Sequence, residues 1–202
     1  ILCVVGESGC GKSLTSLAIM GLLPKNAQRS AEMLELKQED LQKLTERQLS
    51  DIRGNRMAMI FQEPMTSLNP SFTIENQLLE PLFRHRGLSK HDARSLVIEM
   101  LELVGIKPAE PRLRQYPHQL SGGLRQRVMI AMSLLCNPDL IIADEPTTAL
   151  DVTIQAQILE LMMGLREKFK TGILFITHDM GVVANIADRV AVMYAGQIVE
   201  EG

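Results

Sequence analysis

Two rhythms of apolar and polar positions alternate along this chain. Short unbroken apolar runs recur at Ile1-Leu2-Cys3-Val4-Val5, Met57-Ala58-Met59-Ile60-Phe61, Leu140-Ile141-Ile142-Ala143, Gly172–Thr177 and Val190–Tyr194. Runs of this length without polar alternation predict strands buried on both faces, as in a parallel sheet. Helical stretches fall between them. Leu14–Met20 predicts a helix that stops near Gly21 and Pro24. Val152–Phe169 predicts a long amphipathic helix with Ile154, Ile158, Leu161, Met162 and Leu165 as its core face. A helix to about Ala187 is expected after the strand ending at Thr177, and a Gly196 turn should lead into a last strand at Gln197-Ile198-Val199. Strands alternating with helices predict parallel βαβ units.

Two segments depart from that alternation. Residues 25–50 are polar and charged, with one apolar alternation at Met33-Leu34-Glu35-Leu36 that predicts a single short strand. Thr45-Glu46-Arg47-Gln48 has capping-box spacing and predicts the start of a surface helix ending near Gly54. From Glu63 to Cys136 there is no convincing strand pattern. Glu75–Phe83 reads as a helix, and a second starts at Ser89 with Ala93, Leu96, Val97, Met100, Leu101 and Val104 on one face. A loop carrying Pro108, Pro111 and Pro117 separates it from a third helix, Leu124–Cys136. The expected organisation is a sheet-containing core formed by residues 1–62 and 137–202, with residues 63–136 inserted as a helical subdomain.

The chemistry begins at Gly6-Glu7-Ser8-Gly9-Cys10-Gly11-Lys12-Ser13, which has the G-x-x-x-x-G-K-[ST] pattern between a strand and a helix. In that context the pattern is a phosphate-binding loop. Its glycines let backbone N–H groups converge on phosphate oxygens, and the helix adds its positive end. Lys12 supplies a point charge for the β- and γ-phosphates, and the Ser13 hydroxyl can ligate Mg²⁺. Asp144-Glu145 leaves another apolar strand, where two carboxylates are costly to desolvate without a cation or ligand. Asp144 would hold Mg²⁺ with Ser13, and Glu145 would orient the attacking water. A helix N-cap pair ahead of Pro146 is the structural alternative. His178 and Gln62 also stand at strand ends, where an open parallel sheet places its ligand. Either could contact phosphate, metal or water, or be an ordinary loop residue. Leu120-Ser121-Gly122-Gly123-Leu124-Arg125-Gln126-Arg127 offers a second anion-binding helix N-terminus, or simply a cap.

Composition narrows the partners. With 21 basic and 24 acidic residues, a net charge of −3, the chain has no nucleic-acid-coating character, and no nucleic-acid partner is expected. Cys3, Cys10 and Cys136 have neither metal-ligand nor disulfide-framework spacing and are expected to be reduced thiols in a cytosolic setting. No apolar run has the length of a membrane span, and no signal peptide is expected.

The set GESGCGKS, Gln62, LSGGLRQR, LIIADE, Ala149-Leu150-Asp151 and ITHD resembles the ATPase subunit of ABC transporters, in the family's order and over the whole chain. FQEPMTSLNP, YPHQLSGG and IADEPTTALDVTIQAQIL resemble its oligopeptide, dipeptide and nickel importer branch. The resemblance implies an α/β P-loop NTPase fold: a RecA-like, mostly parallel sheet flanked by helices, plus the inserted helical subdomain. It makes Gln62 the Q-loop (catalytic and metal-contacting), Ser121-Gly122-Gly123 the signature, Asp151 the D-loop and His178 the switch histidine. Two subunits would sandwich two ATP molecules, each between the phosphate loop of one and the signature of the other. Implied partners are a second ATPase subunit, permease subunits docking near Gln62–Pro70 and, indirectly, an extracytoplasmic solute-binding protein. The implied cofactors are ATP and Mg²⁺, and the implied location is peripheral, at the cytoplasmic face of the inner membrane.

Leu124 stands where the family often has Gln or Met, a mild change. The family also has an aromatic residue upstream of the first strand to stack on adenine, and the branch has a C-terminal extension. The chain starts at that strand and stops at Glu200-Glu201-Gly202, so it is expected to be a piece of a longer protein that by itself binds ATP weakly and hydrolyses it poorly. An ABC-type ATPase acting on nucleic acid or ribosomes is the alternative function. A P-loop kinase or small GTPase does not explain Ser121-Gly122-Gly123 together with Asp144-Glu145.

Overall fold

The computed structural model describes residues 1–148 and 150–202. Its strands are β1 (Leu2–Val5), β2 (Glu35–Leu36), β3 (Glu39–Asp40), β4 (Met57–Ile60), β5 (Leu140–Asp144), β6 (Gly172–Thr177), β7 (Arg189–Tyr194) and β8 (Gln197–Glu201). Six of them form one sheet in the order β4-β5-β6-β1-β7-β8, parallel throughout except for the antiparallel β7–β8 pair. Every predicted apolar run is therefore a strand of this sheet. Its helices are α1 (Lys12–Met20), α2 (Glu46–Ile52), α3 (Pro64–Ser67), α4 (Ile74–His85), α5 (Lys90–Leu103), α6 (Glu110–Leu113), α7 (Gly122–Leu134), α8 (Val152–Phe169) and α9 (Met180–Ile186).

Side-chain alternation along the strands divides the core into two layers. Cys3, Val5, Ala58, Ile60, Ile141, Ala143, Ile173 and Phe175 face one side of the sheet and pack with α8, α9 and the helices between β4 and β5. Val4, Met57, Ile142, Leu174 and Ile176 face the other side, against Met20 of α1, Leu41 and Ile52. The first layer runs unbroken into the helical block, through Ile130 and Leu134 of α7 to Leu78, Leu82, Val97 and Leu101. The helices after β4 thus share a core with the sheet. Burying each of these side chains contributes about 1.5–3 kcal/mol.

Local signals explain most helix boundaries. Thr45 accepts from the Gln48 N–H and the Gln48 side chain returns the bond to the Thr45 N–H, closing the predicted capping box. Ser89, Ser121 and Asp151 cap α5, α7 and α8 in the same way with their side-chain oxygens. On α8, Ile158, Met162 and Leu165 are buried, while Ile154 and Leu161 are half-buried.

Four details differ from the sequence-based expectation. α1 starts at Lys12 rather than Leu14, because Gly11 turns the chain directly into the helix. The predicted single strand near Met33–Leu36 is a two-stranded hairpin, β2 with β3, closed by Lys37 and Gln38 at φ 47° and 69°. Neither residue signals such a turn, which usually takes Asn or Gly. The proline-rich loop contains α6 and a 3₁₀ turn at Pro117–Gln119. α7 begins at Gly122, two residues before the expected start.

Candidate functional site

β5, β6 and β1 are neighbours and β4 flanks β5, so parallel pairing brings four strand ends to one edge of the sheet. Ile60 pairs with Ala143, Asp144 with Ile176 and Val5 with Thr177. The residues that follow these partners are Gln62, Glu145, His178 and the Gly6–Ser13 loop. They border a cavity of about 500 Å³ lined by Ser8, Gly9, Gly11, Lys12, Ser13, Leu14, Gln62, Glu145, Thr148 and His178.

The loop is shaped by its glycines. A Cβ on Gly6 would collide with the Met193 carbonyl oxygen and lie 2.8 Å from Cys10 Sγ. Gly11 sits at φ 109°, a left-handed conformation that favours glycine. As the N-cap of α1 it provides no side-chain cap, so the first N–H groups of the helix have no protein acceptor from that position. The β7–β8 turn braces the loop from the other side, with the Gly196 N–H donating to the Cys10 carbonyl at 2.9 Å.

Lys12 is only 5% exposed. Its ammonium donates to the Gly6 and Glu7 carbonyls at 2.7 and 2.9 Å, and no carboxylate pairs with it among the described residues. It also lies 3.8 Å from Cys10 Sγ. A buried ammonium held by carbonyl dipoles and a thiol, with no carboxylate partner among the described residues, beside an open cavity is chemically matched to an anion.

Ser13 Oγ donates to Asp144 Oδ1 at 3.1 Å, joining the phosphate loop to β5 across 131 residues. Asp144 is buried, and desolvation, with the nearby Glu145 charge, raises its carboxyl above the ordinary range against the opposing pull of Ser13 and Lys12. A hydroxyl and a buried carboxylate are hard oxygen donors of the kind Mg²⁺ takes when phosphate and water complete its shell. No group of three or more His, Cys, Asp or Glu side chains suited to a metal occurs among the described residues.

Glu145 stands just beyond β5 in a left-handed conformation, φ 46°. Its N–H donates to the Ile176 carbonyl at 3.0 Å. Oε2 accepts from Gln62 Nε2 at 3.0 Å and from Thr148 Oγ1 at 2.9 Å, while Oε1 lies 3.2 Å from His178 Nδ1. Asp179 caps α9 behind the histidine. The Val182 N–H, outweighing partial burial and helped by Gln155, Gly181 and His178, holds its carboxyl below the usual range.

Eight of the predicted residues (Gly9, Gly11, Lys12, Ser13, Gln62, Glu145, His178 and Ser8) line one cavity, and Asp144 touches it through Ser13. Gly6, Glu7 and Cys10 shape the loop behind it. Ser121, Gly122, Gly123 and Asp151 are absent from the lining. Ser121 caps α7 and Asp151 caps α8, and the two helix starts meet where a Cβ on Gly123 would lie 3.0 Å from Ile154. Ala149, part of the expected D-loop, lies outside the described residues. Leu14 and Thr148 are the two lining residues the sequence did not single out as site residues, and Thr148 is the polar one. Thr148 follows Glu145 by three residues across a Pro turn, a spacing that does not by itself show where its hydroxyl points.

The family description "ABC transporter" matches residues 1–148 of this chain. The oligopeptide transport ATP-binding protein OppD of Bacillus subtilis is 59% identical over 204 residues, covering 100% of this chain and 56% of its own length. The dipeptide transport ATP-binding protein DppD of the same organism is 56% identical over 200 residues, covering 98% of this chain and 60% of its own length. The chain therefore spans less than two thirds of these relatives. Among solved structures, the dimeric post-hydrolysis state of the ATP-binding cassette MJ0796, bound to ADP and Pi, superposes with a TM-score of 0.85. It is 30% identical and the match covers 100% of this chain and 84% of that one. Sharing the family's description over most of its length and the cassette's fold from end to end, this chain belongs to the ABC transporter family.

Proposed function

We propose that this chain is the ATP-binding and hydrolysing cassette of an importer for small peptides or related solutes. The observation that carries the proposal is the meeting of Lys12, the Ser13–Asp144 pair and the Gln62–Glu145–His178 group on one cavity at the strand ends. The names of the oligopeptide and dipeptide transport relatives support the substrate class.

In this proposal residues 1–62 and 137–202 are the nucleotide-binding core, and 63–136 the helical subdomain. The N–H groups at the start of α1 receive the phosphates of ATP. Lys12 exchanges its carbonyl partners for phosphate oxygens and offsets their charge. Ser13, Asp144 and Gln62 would hold Mg²⁺, which would neutralise charge on the β- and γ-phosphates. Glu145 orients a water in line with the γ-phosphorus and takes its proton, and His178 contacts the γ-phosphate from the neighbouring strand end. Ser121, Gly122 and Gly123, with Asp151, serve the nucleotide of a second cassette. The exposure of Ser121, Gly122 and Asp151, and the absence of all four residues from the lining of this chain's own cavity, support that placement. Among the described residues no helix is long and apolar enough to cross a membrane. The names of the transport relatives support peripheral attachment on the cytoplasmic face of the inner membrane, through permease subunits docking near Gln62–Pro70 and served by an extracytoplasmic solute-binding protein.

The test is the Glu145→Gln substitution in the full-length protein assembled with its permease subunits. Phosphate release should fall by about 10²–10⁴-fold, the range of general base catalysis, with ATP binding retained. Hydrolysis at the wild-type rate would remove Glu145 as the base.

A further inference from the structure

We propose that Thr148 is a positioning residue for the hydrolytic step: it fixes the carboxylate of Glu145 through its own hydroxyl. This role rests on the ATPase function proposed above.

Glu145 is an awkward residue to place. Its backbone occupies the left-handed region at φ 46°, a strained conformation for a non-glycine residue that persists only where the surroundings hold it. Thr148 holds it at two points. Its N–H donates to the Glu145 carbonyl at 3.3 Å, closing the turn through Pro146 and Thr147. Its Oγ1 donates to Glu145 Oε2 at 2.9 Å. Backbone and side chain of the same residue are thus tied to one partner three positions away. Thr147, which is buried, anchors the turn, and its carbonyl accepts from the Leu150 N–H at 3.1 Å.

The other two groups at the carboxylate come from distant parts of the chain. Gln62 reaches it from the end of β4 and His178 from the end of β6. Both have a second task at the nucleotide in the proposed mechanism, so each must exchange or share its contact with Glu145 when ATP binds. Thr148 has no other side-chain partner among the described residues and belongs to the same turn as Glu145. It is the contact that can persist throughout the cycle, keeping Oε2 anchored while Oε1 stays available to water. Reaction geometry is sensitive at this level, because a misplacement of about 1 Å can cost on the order of 10²-fold in rate.

The experiment compares Thr148→Val, which keeps the shape and removes the hydroxyl, with Thr148→Ser, which keeps the hydroxyl, in the full-length protein with its permease subunits. Val is expected to lower kcat about tenfold or more, with KM for ATP and the binding of ATP changed less than about twofold. Ser should restore at least half of the wild-type kcat. A wild-type kcat in Thr148→Val, a Ser variant as impaired as Val, or a change confined to KM would each overturn the assignment. A wild-type protein that hydrolyses no ATP would overturn the ATPase function, and this role with it. Full activity in wild type and Val alike overturns the role of Thr148 alone.

Discussion

The chain has two glycine-rich turns that open a helix, and they are built to opposite ends. At Gly6–Ser13 the helix begins from Gly11, which has no side chain to cap it, and the turn faces a cavity ringed by other strand ends. At Ser121–Gly123 the helix begins from Ser121, whose hydroxyl accepts from the Leu124 N–H at 3.4 Å, and Ser121 and Gly122 are exposed. The first turn leaves its donors open and surrounds them with Lys12, Ser13, Asp144 and Glu145. The second closes one donor with its own side chain and, among the described residues, lies outside the cavity that gathers those groups. A helix N-terminus alone is therefore half a phosphate site. What separates the two is the sheet, whose strand ends bring Gln62, Asp144, Glu145 and His178 to the first turn.

Substitutions that exploit this contrast differ in size. The largest binding effect is expected for Lys12→Ala, which removes the buried ammonium. Charge-assisted hydrogen bonds contribute about 1.5–3 kcal/mol each, so ATP affinity measured by calorimetry should fall at least tenfold. Unchanged affinity would show that the first turn, too, works as a bare helix end. Ser121→Ala is expected to behave differently. Removing the cap costs about 1 kcal/mol of stability, visible as a lower melting temperature. Binding of ATP to the separate cassette should be unchanged, while turnover of the assembled pair drops. A loss of affinity in the separate cassette would place Ser121 at its own nucleotide.

The smallest effect concerns neither turn. Burial would raise the Asp139 carboxyl, but Lys37 and Arg56 outweigh it and hold it below the ordinary value. A depressed folded-state value stabilises the fold above the unfolded value and loses that contribution as pH falls through the folded one. Asp139→Asn should therefore flatten the acid side of the stability profile by well under about 1 kcal/mol, since the pair is partly exposed. An unaltered acid limb in urea melts at low pH would show that the Lys37 and Arg56 contacts contribute nothing.

How much of this was legible in sequence follows from range. Contacts within one turn were readable: the Thr45–Gln48 capping box, the strand runs and the phosphate loop itself. The Ser13–Asp144 and Gln62–Glu145 contacts, 131 and 83 residues apart, could be anticipated only because Gln62, Asp144 and Glu145 follow apolar runs and Ser13 closes the phosphate loop that follows another. Parallel pairing then does the rest. The β2–β3 hairpin was not readable, because Lys37 and Gln38 adopt positive φ without the residues that advertise it. Thr148 was hidden for a different reason. Its role depends on how a Pro turn folds back on Glu145, and side-chain direction at a turn is not written in residue spacing.

The central claim is that each nucleotide is held by the first turn of one cassette and the second turn of its partner. It is tested by assembling Lys12→Ala and Ser121→Ala chains together on one pair of permease subunits. Each variant alone has a defect in every site. In the mixed pair, sharing between chains leaves one site with both turns intact, so ATP hydrolysis should reappear above that of either variant alone. A mixed pair no more active than the two variants separately would mean that each cassette uses its own Ser121, and would contradict the account.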